Sequence, residues 1–222
     1  MKTTKCGTCG DEFSYEPFVF MEKEKLTPTR CDKCILKERA EQDAKENNRR
    51  ASFEWERLCP TLYRDTDIKR LEPHFQAIIA NWQYGPKGIG FLGNPGVGKT
   101  RTALMILKKH LWLGKKCAAV SSTRFEILCR DQFSSNEEIR DAVREKIEGI
   151  RDADLLLLDD VGKGKMTERV ELEFYDLLEH RTSWMKPTIW TANSDSDQLL
   201  ASMSFERGES IMRRLSEFSE IV

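Results

Sequence analysis

The chain has 222 residues, 33% of them charged and 39% hydrophobic, and its 36 basic and 37 acidic side chains cancel to a net charge of -1. That length accommodates one ordinary domain and a small accessory module, and the near-cancellation excludes a global positive field, so any nucleic-acid contact must come from a local patch. No apolar run approaches the roughly 20 residues of a membrane span, and Met1-Lys2-Thr3-Thr4-Lys5 lacks the apolar core of a signal peptide, so a cytoplasmic protein with no membrane contact is expected.

The first element in chain order is a pair of cysteine knuckles. Cys6 and Cys9, then Cys31 and Cys34, form two C-x-x-C pairs with 21 residues between them. Such a turn holds two thiolates about one tetrahedral edge apart, and Gly7 and Gly10 let backbone N–H groups point at sulfur. The stretch from Phe13 to Phe20 can supply short strands, so residues 1–34 are predicted to be a zinc ribbon whose folding energy is largely the metal's, roughly 10–16 kcal/mol. Buried unpaired thiols and a redox C-x-x-C are the alternatives, although redox chemistry needs one pair and no distant second one. Residues 1–34 carry six basic and six acidic side chains. A neutral ribbon is a poor non-specific DNA binder, which favours protein contact over nucleic acid.

Residues 35–58 contain neither Gly nor Pro and mix six acidic with six basic side chains, which predicts a solvated helical linker. Glu38 with Gln42 and Glu41 with Lys45 fall at i, i+4 spacing. Cys59-Pro60 breaks the helix, and a larger domain is expected over 59–222.

Within that domain, Gly93-Asn94-Pro95-Gly96-Val97-Gly98-Lys99-Thr100 matches the phosphate-binding loop G-x-x-x-x-G-K-[ST] without a mismatch. It follows an apolar run, Ile89 to Leu92, that reads as a buried strand, and precedes Thr102 to Leu113, whose spacing reads as a helix. The loop residues and the following Arg101 are expected to hold a nucleoside triphosphate, ATP or GTP: glycines bring N–H donors close to phosphate at a helix N-terminus, Lys99 reaches the β- and γ-phosphates, and Thr100 ligates magnesium.

Leu155 to Leu158 end in two carboxylates, Asp159 and Asp160. A buried parallel strand delivers such acids at its C-terminal end, where ligands bind in open α/β sheets. Asp159 is expected in the magnesium shell, and Asp160 is expected to orient or deprotonate the attacking water. Cys117 to Val120 and Thr188 to Ala192 complete the strand count, Asn193 ends the latter facing the γ-phosphate, and Phe218 to Val222 suits a closing strand.

Together GNPGVGKT, LLLLDDVG, the TAN of Thr191 to Asn193 and the RRL of Arg213 to Leu215 resemble the DnaC- and IstB-type AAA+ ATPases over roughly residues 60–222. The resemblance implies a parallel AAA+ sheet with flanking helices and no C-terminal lid, with Asn193 as the sensor-1 residue and Arg214 as the arginine finger of a neighbouring subunit, Arg213 being its competitor. It implies an ATP-dependent homo-oligomer of weak intrinsic turnover that loads a replicative helicase on single-stranded DNA. It also implies a single-strand path along Lys163 and Lys165, two cations on glycine-rich backbone after the second acid and before a helix expected from Thr167 to Arg181, and along Arg124 after the second strand.

Three other readings compete. An IstB-type transposition helper shares the fold, a zinc-bearing P-loop nucleoside kinase would need an acceptor pocket, and a non-hydrolysing ATP switch would bind without turnover. Paired acids with Asn193 suit water activation, and the ribbon favours the loader.

Overall fold

Leu155 to Leu158 send alternate side chains to opposite faces of one sheet, which is why the run is apolar at every position. Leu155 and Leu157 pack with Ile89, Phe91, Ala103 and Leu107 on one face, and Leu156 and Leu158 pack with Val120, Phe125, Phe174 and Leu177 on the other. All four leucines are at most 1% exposed. A strand covered on both faces must bury both of its residue sets, the condition of a parallel sheet flanked by helices.

The computed structural model describes residues 1–20, 23–163, 166–193, 196–201 and 203–222, with the backbone alone for 18–20, 23–26, 196–198, 205 and 206. The chain divides into two units, Met1–Arg50 and Ala51–Val222.

In the first unit, β1 (Lys2–Lys5) pairs antiparallel with β2 (Glu12–Tyr15), and β3 (Phe18–Phe20) pairs antiparallel with β4 (Lys23–Leu26). The long helix α1 (Asp32–Leu58) starts immediately after Cys31, so Cys34 already lies in its first turn. The expected boundary at residue 34 is therefore not a structural one. Nor is the whole of 35–58 a solvated linker, because Ala51 and Trp55, one helical turn apart, are 1% and 5% exposed and belong to the core of the second unit.

The second unit continues with the short helices α2 (Thr61–Arg64) and Ile68–Arg70 (a 3-10 turn), then α3 (Pro73–Asn81), β5 (Gly88–Leu92), α4 (Lys99–Trp112), β6 (Cys117–Ser121), α5 (Ser122–Asp131), α6 (Glu137–Asp152), β7 (Leu155–Asp159), α7 (Glu168–Ser183), β8 (Thr188–Ala192), α8 (Ser196–Ala201), α9 (Phe205–Glu217) and β9 (Ser219–Ile221). The five strands pair in parallel in the order β6-β7-β8-β5-β9. Consecutive strands β5 and β6 lie three places apart, so β8, late in the chain, is inserted between the loop-bearing strand and the acid-bearing strand. Where strand order reverses in this way, a crevice opens at the C-terminal ends.

A close approach marks the pairing of β5 and β8. Gly90 pairs with Trp190, and a Cβ at Gly90 would meet the Trp190 ring at 2.4 Å, so glycine there lets the indole lie across β5. Trp190 is fully buried, and its indole N–H donates to Ser219 Oγ at 3.0 Å, tying β8 to the closing strand. Arg181, also fully buried, donates to the carbonyls of Ala153 and Pro187 at 2.8 and 2.7 Å and to Thr188 Oγ1 at 3.0 Å. It thereby satisfies carbonyls at the entrances of β7 and β8, and burial pulls its pKa down to about 10.

Candidate nucleotide site and cysteine cluster

The loop after β5 turns on three left-handed glycines, Gly93, Gly96 and Gly98, with φ of 133, 88 and 108°. A Cβ at Gly93 or Gly96 would meet nothing within 4 Å, so the loop faces an open mouth, whereas at Gly98 it would approach Leu71 Cδ2 at 3.3 Å. Helix α4 begins at Lys99, earlier than the Thr102 expected from apolar spacing, and no side chain caps its N-terminus. The first-turn N–H donors and the positive end of the helix dipole are thus directed at the loop, the arrangement that suits phosphate.

Lys99 is 5% exposed, and its ammonium donates to the carbonyls of Gly93 and Asn94, both at 2.7 Å. Burial lowers its pKa, against the opposing pull of Asp160 and Asp159. The Thr100 hydroxyl donates to Asp159 Oδ1 at 2.8 Å. A threonine hydroxyl beside a carboxylate is the hard oxygen donor set that magnesium takes.

Asp159 and Asp160 emerge from the end of β7 into the crevice. The Thr191 hydroxyl donates to Asp159 Oδ1 at 2.7 Å and accepts the Asp160 backbone N–H at 2.9 Å. Asp160 adopts a left-handed φ of 58°, rare and costly for a residue with a side chain, and its Oδ1 accepts from Asn193 Nδ2 at 2.7 Å. Thr100, Asp159, Thr191, Asp160 and Asn193 are therefore linked through one hydrogen-bond network at the C-terminal edge of β7 and β8, with the Lys99 ammonium held apart from it on the loop carbonyls and coupled to the two acids by charge. Thr191 was not singled out as a site residue from sequence. The only trace it leaves there is a hydroxyl in an otherwise apolar strand end.

Cavities flank the loop. One of about 260 Å³ is lined by Glu72, His74, Phe75, Val97 and Lys99 among others, and one of about 510 Å³ by Asp65, Thr66, Arg70, Gly96, Gly98 and Arg101 among others. The segment 65–75 thus walls the site on both sides without carrying a legible motif. Arg101 itself turns to Thr66 Oγ1 at 3.1 Å and lies 5.1 Å from the centre of the Tyr63 ring. Arg124, exposed in the first turn of α5, lines a recess of about 210 Å³ together with Thr100, Ser121 and Asp159.

The two arginines of α9 separate. Arg214 is held within its own chain: its Nε donates to Glu179 Oε2 at 2.6 Å, an Nη2 contact reinforces that pair, Nη2 also donates to the Tyr175 hydroxyl at 2.9 Å, and the guanidinium lies 4.4 Å from the Tyr175 ring centre. Its side chain is 12% exposed, whereas Arg213, one residue earlier, is exposed. Lys163 is 66% exposed and ion-paired with Asp160 at 3.3 Å, while Lys165 lies outside the described residues.

In the N-terminal unit, the sulfurs of Cys6, Cys9, Cys31 and Cys34 all lie within 4.8 Å of one another. Cys9 and Cys31 Sγ are 3.7 Å apart, close to the edge of a tetrahedron of zinc–sulfur bonds of about 2.3 Å. Backbone N–H groups of Thr8 and Cys31 donate to Cys6 Sγ at 3.4 and 3.3 Å. N–H donors from Cys9, Cys31 and Thr8 bring the Cys6 thiol down to about 5, while the thiols of Cys9 and Cys31 push Cys34 up to about 12. Four clustered thiols resist full ionisation, and a divalent cation removes that resistance, so the donor set fits zinc.

No protein-family model matches this chain, and no curated protein matches it. Solved structures do. A crystal structure of the DnaC helicase loader aligns with a TM-score of 0.60 at 18% identity, covering 73% of this chain and 98% of that one. A crystal structure of DnaI aligns with a TM-score of 0.60 at 20% identity, covering 74% and 93%. The replication initiator DnaA bound to AMPPCP and single-stranded DNA aligns with a TM-score of 0.54 at 19% identity, over 67% of this chain and 44% of that one. The chain thus spans less than half the length of the DnaA structure. At these identities the likeness shows the fold alone, an α/β parallel sheet flanked by helices. Among the described residues no helix is long and apolar enough to cross a membrane.

Proposed function

We propose that this chain is a weak ATPase of DNA replication that binds ATP with magnesium, assembles as an ATP-dependent homo-oligomer, and loads or remodels a replicative helicase on single-stranded DNA. The observation that carries this reading is the single network joining Thr100, Asp159, Thr191, Asp160 and Asn193 beside the loop that holds Lys99, on a fold shared with DnaC over 98% of that chain. Lys99 and the loop N–H groups bind the phosphates. Thr100 and Asp159 would hold the magnesium, which supplies neutralisation of phosphate charge. Asp160 accepts the proton of the attacking water while Asn193 fixes its other oxygen. Arg213 is the better finger, because Arg214 is committed to Glu179 and Tyr175 in its own subunit. Cys6, Cys9, Cys31 and Cys34 hold zinc in a module that contacts the protein partner.

The test is ATP hydrolysis by the full chain alone, with a single-stranded oligonucleotide, and with a replicative helicase. Slow turnover stimulated by the last two is expected. Absence of hydrolysis in every combination overturns the enzymatic reading, and stimulation confined to duplex DNA with a transposase favours the IstB-type alternative.

A further inference from the structure

The turn that follows the second acid binds a cation to it. Lys163 N–H donates to Asp160 O at 3.2 Å, Gly162 takes the left-handed φ of 80° that the turn requires, and the Lys163 ammonium comes to 3.3 Å of Asp160 Oδ2. The backbone of Asp160 is fixed by Thr191, and its Oδ1 by Asn193 at 2.7 Å. The two carboxylate oxygens therefore differ in tether. Oδ1 is held by a short side chain at the end of a buried strand, whereas Oδ2 is held by a long, flexible side chain that is 66% exposed.

We propose that Lys163 is a positioning residue that restrains Asp160 through Oδ2, and that a backbone phosphate of single-stranded nucleic acid releases the acid by taking the ammonium. This rests on the ATPase reading above. An exposed lysine–carboxylate pair is weak, and a lysine ammonium on a four-carbon stem carries three rotatable donors, so it exchanges partners without rearrangement of the fold. A nucleic-acid phosphate presents charge-assisted acceptors within a field of neighbouring phosphates, which draws the cation outward. Once the ammonium leaves, Oδ2 is free to receive a proton from water while Asn193 and Thr191 keep the carboxylate aimed. Nucleic-acid engagement and hydrolysis are thereby coupled through one side chain, because the acid and the strand compete for the same cation.

Steady-state hydrolysis by the full chain, comparing wild type with Lys163→Met and Lys163→Arg, tests this without and with a saturating single-stranded oligonucleotide. Lys163→Met should raise basal kcat about two- to fivefold, the range a surface ion pair supports, with KM for ATP unchanged. It should also lose further stimulation even at saturating oligonucleotide, while Lys163→Arg keeps low basal turnover and stimulation. Unchanged KM shows that the variant is folded. Wild-type basal kcat in Lys163→Met, with full stimulation at saturation, makes Lys163 a strand contact only and overturns the restraint while leaving the ATPase reading intact. A wild type that never hydrolyses ATP overturns both.

Discussion

The Thr191 hydroxyl donates to Asp159 Oδ1 at 2.7 Å. Thr191 Oγ1 in turn accepts the backbone N–H of Asp160, so one fully buried side chain on β8 positions both acids at the end of β7. Thr191→Val, which keeps the shape and removes the hydroxyl, leaves a backbone donor and a carboxylate oxygen short of a partner. It should cost about 1–3 kcal/mol of unfolding free energy and lower kcat by roughly tenfold or more, and Thr191→Ser should restore most of both. Denaturant titration and steady-state hydrolysis measure the two effects. A valine variant of wild-type stability and rate would show that the hydroxyl only fills space.

Lys99→Ala and Asp160→Asn should fail differently. The first removes the buried cation at the loop and should weaken ATP binding by about a hundredfold or more. The second keeps the loop and should bind ATP at near wild-type affinity without turning it over. Equilibrium binding of a fluorescent ATP analogue, paired with a hydrolysis assay, separates the two. Wild-type turnover in Asp160→Asn would remove the catalytic role from this acid.

Arg213 and Arg214 make a second contrasting pair. Arg214→Ala breaks the Glu179 and Tyr175 contacts that fasten α9 to α7, and should destabilise the second unit by about 1–2 kcal/mol. Arg213→Ala should leave stability unchanged and abolish hydrolysis that depends on assembly, by a factor on the order of a thousand. Mixing Arg213→Ala with Lys99→Ala subunits should restore partial activity. If Arg214→Ala were as stable as wild type and alone lost assembled activity, the finger would be Arg214 after all.

Protein purified without chelator should carry one zinc per chain, and Cys31→Ser should lose it while retaining ATP binding, because the core of the second unit contains none of the four ligands. Elemental analysis finding less than about 0.2 zinc per chain would end the ribbon assignment.

His110, 2% exposed, supplies a pH dependence. Burial lowers its pKa below 6.5, against the opposing hydrogen bond between Nδ1 and the Ile106 carbonyl at 2.9 Å. The unfolded chain therefore binds a proton that the folded chain refuses between that lowered value and 6.5. Stability should rise with pH across that window, by at most about 1.4 kcal/mol per unit from this group, and be fully present above it. Urea titrations at several pH values should show this slope in wild type and its loss in His110→Leu. Equal slopes would mean that His110 protonates without cost in the fold.

The phosphate loop, the acid-ended strand and the paired cysteines were legible in sequence because each is contiguous and its chemistry demands particular residue types at fixed spacing. Gly93 to Thr100 and Leu155 to Asp160 each imply a strand end from their own residues, and the uniform burial of the four leucines follows from a strand covered on both faces. Strand order was not so legible. The insertion of β8 between β5 and β7 brings Thr191 and Asn193 to the acids across 31 and 33 residues of sequence, and no local pattern encodes such a pairing. Arg213 and Arg214 are chemically identical neighbours, so only the rotation of about 100° per residue along α9, and the presence of Glu179 and Tyr175 on the facing helix, decides which is bound and which is exposed. The end of the charged helix follows the same rule: its charge run predicts solvation throughout, and Ala51 and Trp55 become core only because another part of the chain supplies the apolar face that covers them. Local sequence determines chemistry and element type, whereas partnership between distant residues depends on which surfaces the folded chain brings together.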